Sequence, residues 1–113
     1  MEEQFEVSKE SGNGYVLVSV VGEVDVATAP QFRDRIWEAI GEGPAIVAVD
    51  LTGVTFIDST ALGVLIEGKE LCDAEGGTMR IALSEPRILK VFEITGLTEL
   101  FDIRPTRDQA IAG

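Results

Sequence analysis

Residues 45–51 (Ala-Ile-Val-Ala-Val-Asp-Leu) are apolar at nearly every position. A strand reads this way when both faces of its sheet are covered, because no position then faces water. Helical patterns lie on either side of it. Phe32, Ile36, Ala39 and Ile40 line one face of the segment before it, and Leu62, Leu65 and Ile66 anchor the segment after it. Strands alternating with helices imply parallel pairing through right-handed crossovers.

The rest of the chain extends that alternation. Residues 5–8 alternate apolar and polar, as a half-buried strand does. Ser11-Gly12-Asn13-Gly14 is a turn signal, and residues 15–21 form a second, β-branched strand, so an antiparallel hairpin is expected. Gly22-Glu23-Val24-Asp25 is expected to end that strand in a loop. Thr28 and Gln31 have capping-box spacing around Pro30, and Gly41 and Gly43 stop the helix. Trp37 lies off the main stripe and is expected to cover the helix flank. The second helix runs to about Ala74, with Lys69 and Cys72 continuing its inward spacing. Gly63 and Gly68 each weaken it by up to ~1 kcal/mol, which points to close approach of a neighbouring backbone or a partner.

After Gly76-Gly77, residues 78–83 read as a strand. Ser84-Glu85-Pro86 starts a third helix that turns Ile88, Leu89 and Phe92 inward and closes at Gly96. Residues 100–103 read as a short last strand and 106–112 as a short, frayed helix. The expected fold is α/β, one domain over residues 1–113 with its core at about 5–110. Its sheet is mixed and mostly parallel, of about five strands with an antiparallel N-terminal edge, and about four helices pack on it.

Composition narrows the function. The chain has no histidine, which excludes His-based acid–base chemistry, His metal ligands and Ser-His-Asp triads. Cys72 is the single cysteine, so it forms neither an internal disulfide nor a metal framework and is expected near the core. No cofactor and no enzymatic activity are expected. No apolar run approaches the ~18 residues of a bilayer span. The acidic start Met1-Glu2-Glu3-Gln4 lacks the basic opening of a signal peptide, so a cytoplasmic location is expected. With 20 acidic and 9 basic residues the formal net charge is −11. Such a surface repels nucleic acid and anionic membrane and suits a partner with a basic patch; a monomer is the simplest expectation.

Phe56-Ile57-Asp58-Ser59-Thr60-Ala61-Leu62-Gly63 stands out chemically. It joins the C-terminal end of a buried strand to a helix N-terminus, the edge of an open α/β sheet where function concentrates. Asp58 or Ser59 supplies the cap. Three consecutive carboxylate or hydroxyl residues exceed what one cap requires, and Phe56, Ile57, Ala61, Leu62 and Val64 are expected to form an apolar rim around Ser59.

Several of these pieces together resemble a STAS domain of the stand-alone anti-sigma factor antagonist kind. They are Gly22-Glu23-Val24-Asp25, Val49-Asp50-Leu51, the Phe56–Gly63 segment, Gly76-Gly77 and Val91-Phe92-Glu93-Ile94-Thr95-Gly96-Leu97. Ala61 departs from the Gly that relatives often carry. The resemblance implies that Ser59 is phosphorylated by the anti-sigma factor, a Ser/Thr kinase, and that the unphosphorylated form binds this factor and frees the sigma factor. It also implies that a PP2C-type phosphatase resets the switch. It makes Glu23, Asp25, Asp58, Ser59, Thr60, Ala61, Leu62 and Gly63 the expected partner-binding residues. Asp58 would cap the helix and orient the Ser59 hydroxyl, and Thr60 is a first-turn filler or a secondary acceptor. Two other readings compete: a non-phosphorylated STAS interaction module of a sensory assembly, and a nucleotide or small-ligand binder. The latter lacks a Gly-rich phosphate loop with a Lys.

Overall fold

Strand β3, Ile46–Ile57, is the spine of the computed structural model, which describes residues 5–112. Met1-Glu2-Glu3-Gln4, read above for the missing signal-peptide start, lies outside the described residues. On one side of β3 lie β2 (Tyr15–Val24) and then β1 (Glu6–Ser11). On the other lie β4 (Thr78–Ala82) and then β5 (Asp102–Arg104), giving the order β1-β2-β3-β4-β5. β1 pairs antiparallel with β2, and every other pairing is parallel. The helices are α1 (Ala29–Gly41), α2 (Ser59–Ala74), α3 (Pro86–Ile94) and α4 (Arg107–Ile111). The mixed sheet and its four helices match the fold class expected from the pattern of strands and helices.

The unbroken apolarity of β3 has the expected cause. Val47, Val49 and Leu51 are buried in the larger core with residues of α1, α2 and α3. Ile46 and Ala48 face the other way and meet Leu17, Ala82 and Ala110 of α4. Burying each Val, Leu or Ile contributes roughly 1.5–3 kcal/mol, so the three-helix face carries most of the stability. Phe92 of α3 meets Phe101 edge-to-face at 6.2 Å, tying the chain before β5 to that core. Cys72 is buried there too, and burial pushes its thiol pKa up. Trp37 covers the flank of α1 as expected, half-buried against the core.

Four local expectations are corrected. β2 does not stop before Gly22 but continues to Val24 alongside an equally extended β3, where Gly22 pairs with Val54, Glu23 with Phe56 and Val24 with Ile57. Register shifts around Val21 and Gly22, with Gly22 at φ +100°, show a bulge where the sequence reads as a stop. Thr28 makes no side-chain cap; its backbone (φ −101°, ψ −13°) is already helical rather than extended. The last strand is Asp102–Arg104, shifted past the buried Phe101. Within it the Arg104 guanidinium, 2.7 Å from Asp102, holds that carboxyl below the usual carboxylate range, with Arg80 adding to the effect.

The fourth correction concerns α4, which is docked and not frayed. Its Ala110 is fully buried. Thr106 caps it by accepting from the Gln109 N–H at 3.2 Å. Arg107 reaches Asp50, the buried acid of β3, and donates from Nε to Oδ2 at 2.8 Å, while Nη2 donates to Ser19 Oγ at 3.2 Å. The other Asp50 oxygen accepts from Thr52 N at 2.9 Å and Thr52 Oγ1 at 2.6 Å. A charge so buried is tolerable because it is paired and fully hydrogen-bonded.

Candidate partner-binding site

The C-terminal ends of β2 and β3 place the starts of α1 and α2 side by side. Asp58 ends β3 in extended backbone (φ −115°, ψ −178°), and its N–H donates to the Val24 carbonyl at 3.2 Å, fastening the two strand ends together. The alternative left open by the sequence resolves here: Asp58 is the cap of α2, with Oδ1 accepting from Ala61 N at 3.1 Å. Ser59 is therefore released from capping. It is the first residue of α2, exposed, and its hydroxyl makes no hydrogen bond to another described residue. Thr60 beside it is exposed as well.

The turn before α1 is held in a similar way. Asp25 Oδ1 accepts from Ala27 N at 2.9 Å and from Thr28 N at 3.2 Å, and the Asp25 carbonyl accepts from Ala29 N at 2.7 Å. Asp25 thus does the capping that the sequence assigns to Thr28. The Thr28 hydroxyl accepts from Asp25 N and donates to the Glu23 carbonyl instead. Glu23 is exposed at the end of β2, next to the exposed Phe56. Helix N-termini with unpaired N–H groups favour an added negative charge, so the pole can carry an anion on Ser59 without unfolding.

The expected apolar rim is largely absent. Ile57, Ala61, Leu62 and Val64 are all buried, because the 3.6-residue period turns α2 onto the sheet at those positions. Ala61, at 0% exposure, and Leu62, at 7%, shape the start of the helix from below and present little or nothing to a partner. Phe56 alone of that set is exposed, at 47%, and the apolar residue accompanying it at this pole is Val26, 71% exposed in the turn before α1. A valine directly after the capping Asp25 lies in the turn between β2 and α1, with no strand or helix to bury it, which is the signal the sequence offered.

The two glycines of α2 serve different ends. A Cβ at Gly68 would lie 3.0 Å from Ile36 Cγ2 and 3.2 Å from Met79 Cε, so α1 closes on α2 there. A Cβ at Gly63 would meet nothing within 4 Å. Above it lies an open groove of about 530 Å³ between α1 and α2, lined in part by Pro30, Arg33, Ser59, Thr60, Gly63 and Glu67. The structure thus brings Ser59, Thr60 and Gly63 to one concave surface, with Asp58, Asp25 and Glu23 on the adjoining rim. Arg33 was not singled out by sequence patterns; its guanidinium lies 4.7 Å from the centroid of the Trp37 ring. Among the described residues no group of three or more His, Cys, Asp or Glu could hold a metal ion, and no helix is long and apolar enough to cross a membrane.

A five-stranded sheet with an antiparallel first hairpin, carrying an exposed serine at the start of the helix after its central strand, defines a recognisable class. Residues 5–110 match the STAS domain family model, and the chain belongs to that family. It is 32% identical over 88 residues to the anti-sigma-B factor antagonist of Bacillus subtilis (strain 168), covering 78% of this chain and 80% of that one. It is likewise 32% identical over 97 residues to the anti-sigma-B factor antagonist of Listeria monocytogenes, covering 85% and 84%. A crystal structure of an anti-sigma factor antagonist from Mycobacterium paratuberculosis superposes with a TM-score of 0.87 at 30% identity, covering 96% of this chain and 92% of that one.

Proposed function

We propose that this protein is an anti-sigma factor antagonist whose binding is switched off by phosphorylation of Ser59. The observation that carries the reading is the division of labour at the start of α2: Asp58 caps the helix, and the Ser59 hydroxyl is left exposed and without a partner. The names of the relatives support the choice of function. The partner is an anti-sigma factor of the Ser/Thr kinase type, which docks on the pole formed by Glu23, Asp25, Asp58, Ser59, Thr60 and Gly63. In the transfer step Ser59 Oγ bonds to the γ-phosphorus of ATP, the bond to the departing ADP breaks, and the hydroxyl proton passes to a base of the kinase. A PP2C-type phosphatase hydrolyses the phosphoserine and restores the binding form.

The switch is electrostatic. Phosphorylation adds about −1.5 to −2 charges and three acceptor oxygens. In the free protein that charge sits at a helix N-terminus, where it is stabilised by roughly 0.3–2 kcal/mol. In the docked complex it must be desolvated beside Asp58 and close to Asp25 and Glu23, and an unpaired buried charge costs on the order of 2–5 kcal/mol. A net ~3 kcal/mol weakens binding roughly a hundredfold. Ser59→Asp should therefore fold with a denaturation midpoint at or slightly above the parent's yet lose about two orders of magnitude in affinity for the anti-sigma factor, measured by calorimetry, while Ser59→Ala binds constitutively. Intact mass after incubation with the kinase and ATP should show one added phosphate in the parent and none in Ser59→Ala. An Asp variant that binds as tightly as the parent, or a parent that gains no phosphate, rules the reading out.

A further inference from the structure

We infer, resting on the reading of Ser59 as the phosphoacceptor, that the guanidinium of Arg33 receives the phosphate and seats it in the groove between α1 and α2. Ser59 and Arg33 stand on walls of the same groove. Arg33 is the sole cation among the described residues lining it. Six of the other basic side chains are matched to carboxylates, Lys9 to Glu42, Arg35 to Glu38, Lys69 to Asp73, Arg80 and Arg104 to Asp102 and Arg107 to Asp50, while Arg87 and Lys90 carry no such pair among the described residues but lie outside this groove. Arg33 has no such ion pair among the described residues, although the acids Asp34 and Glu67 line the same groove. In a chain of net charge −11, an arginine left in this condition has its hydrogen-bonding capacity in reserve.

The geometry keeps that capacity available. The guanidinium carbon lies over the Trp37 ring, a cation–π contact that consumes no N–H, and no hydrogen bond or ion pair to another described residue engages its donors. Those donors form the planar fork that matches two oxygens of a phosphate dianion. The first turn of α2 supplies N–H groups and a partial positive charge on the phosphate's other side. Gly63 leaves the floor between them empty, since even a Cβ there would touch nothing. A phosphate bridged from Ser59 to Arg33 thus lies across the groove. Phosphorylation then closes the docking surface by filling it as well as by charging it.

The experiment uses the full chain with phosphoserine installed at position 59 by genetic incorporation, which needs neither kinase nor partner. The phosphate is titrated by phosphorus NMR in the parent, in Arg33→Gln and in Arg35→Gln, the last removing the same charge from a residue outside this groove. A free phosphoserine loses its second proton near pH ~6. An Arg33 bridge holds that pKa lower in the parent; Arg33→Gln should raise it by about half a unit or more, and Arg35→Gln should leave it near the parental value. The Arg33 Nε–H resonance should also move downfield on phosphorylation, as a charge-assisted donor does. Equal titration of the two variants, with an unmoved Nε–H signal, overturns the assignment of Arg33 while leaving Ser59 as phosphoacceptor intact. A kinase that never phosphorylates Ser59 removes the proposed function but not the chemistry of this titration.

Discussion

Two aspartates show how differently the two faces of this sheet use charge. Asp50 is buried against α4, and both of its oxygens are taken, by Thr52 and by Arg107. Asp58, at the end of the same strand, spends one bond on the Ala61 N–H and sits among exposed neighbours without a cation. The first is a fastening that holds the fold. The second caps a helix at the surface. Charges that stabilise are paired and sheltered, whereas exposed charges and ion pairs contribute little to the fold on their own.

Three substitutions break or sharpen that contrast. The largest expected effect is at the fastening. Arg107→Ala leaves the Asp50 carboxylate buried without its cation and should destabilise the protein by about 2–3 kcal/mol, less than a fully buried pair would lose because Arg107 is half exposed. Urea denaturation reads this directly, and a loss below about 0.5 kcal/mol would show that α4 is held by its other contacts, the packing of Ala110 and Ile111 and the Arg80 bonds to the Ala110 and Ala112 carbonyls, rather than by the Asp50–Arg107 pair. Removing the cap at the other aspartate should matter less. Asp58→Ala frees the Ala61 N–H and should cost ~1 kcal/mol by the same measurement, with a proportionally larger loss of helical circular dichroism on heating. The smallest effect should have the opposite sign. Gly63→Ala adds a methyl to open space and should stabilise the chain by up to ~1 kcal/mol. A destabilised Gly63→Ala would mean that the groove is tighter than its geometry shows, and the contrast with Gly68 would fail.

The element order was legible because each strand and helix carries its own periodicity, punctuated by glycine. The segment around Ser59 was legible for a related reason: a carboxylate and two hydroxyls ahead of a helical apolar pattern mark a helix start whatever surrounds it. The misreadings arose where a local signal met a tertiary one. Gly22 looked like a stop, yet pairing with the far end of β3 carried the strand through it as a bulge. Thr28 looked like a cap, yet Asp25 took the turn first. The short last helix looked frayed, since its anchor is an aspartate more than fifty residues earlier in the chain.

By itself, then, the sequence determined the strand–helix alternation, the coverage of both sheet faces and the polar helix start at Asp58-Ser59-Thr60. These follow from near-neighbour spacing, which turn chemistry and side-chain period encode directly, whereas the choice of Ser59 as candidate phosphoacceptor is what the family resemblance implies. Only the tertiary structure decided which rim residues face water, which glycine is needed for packing, and that Arg33 shares a groove with Ser59. Those are contacts between segments far apart in the chain, set by how helices lie against one another on the sheet, and no local pattern carries that information.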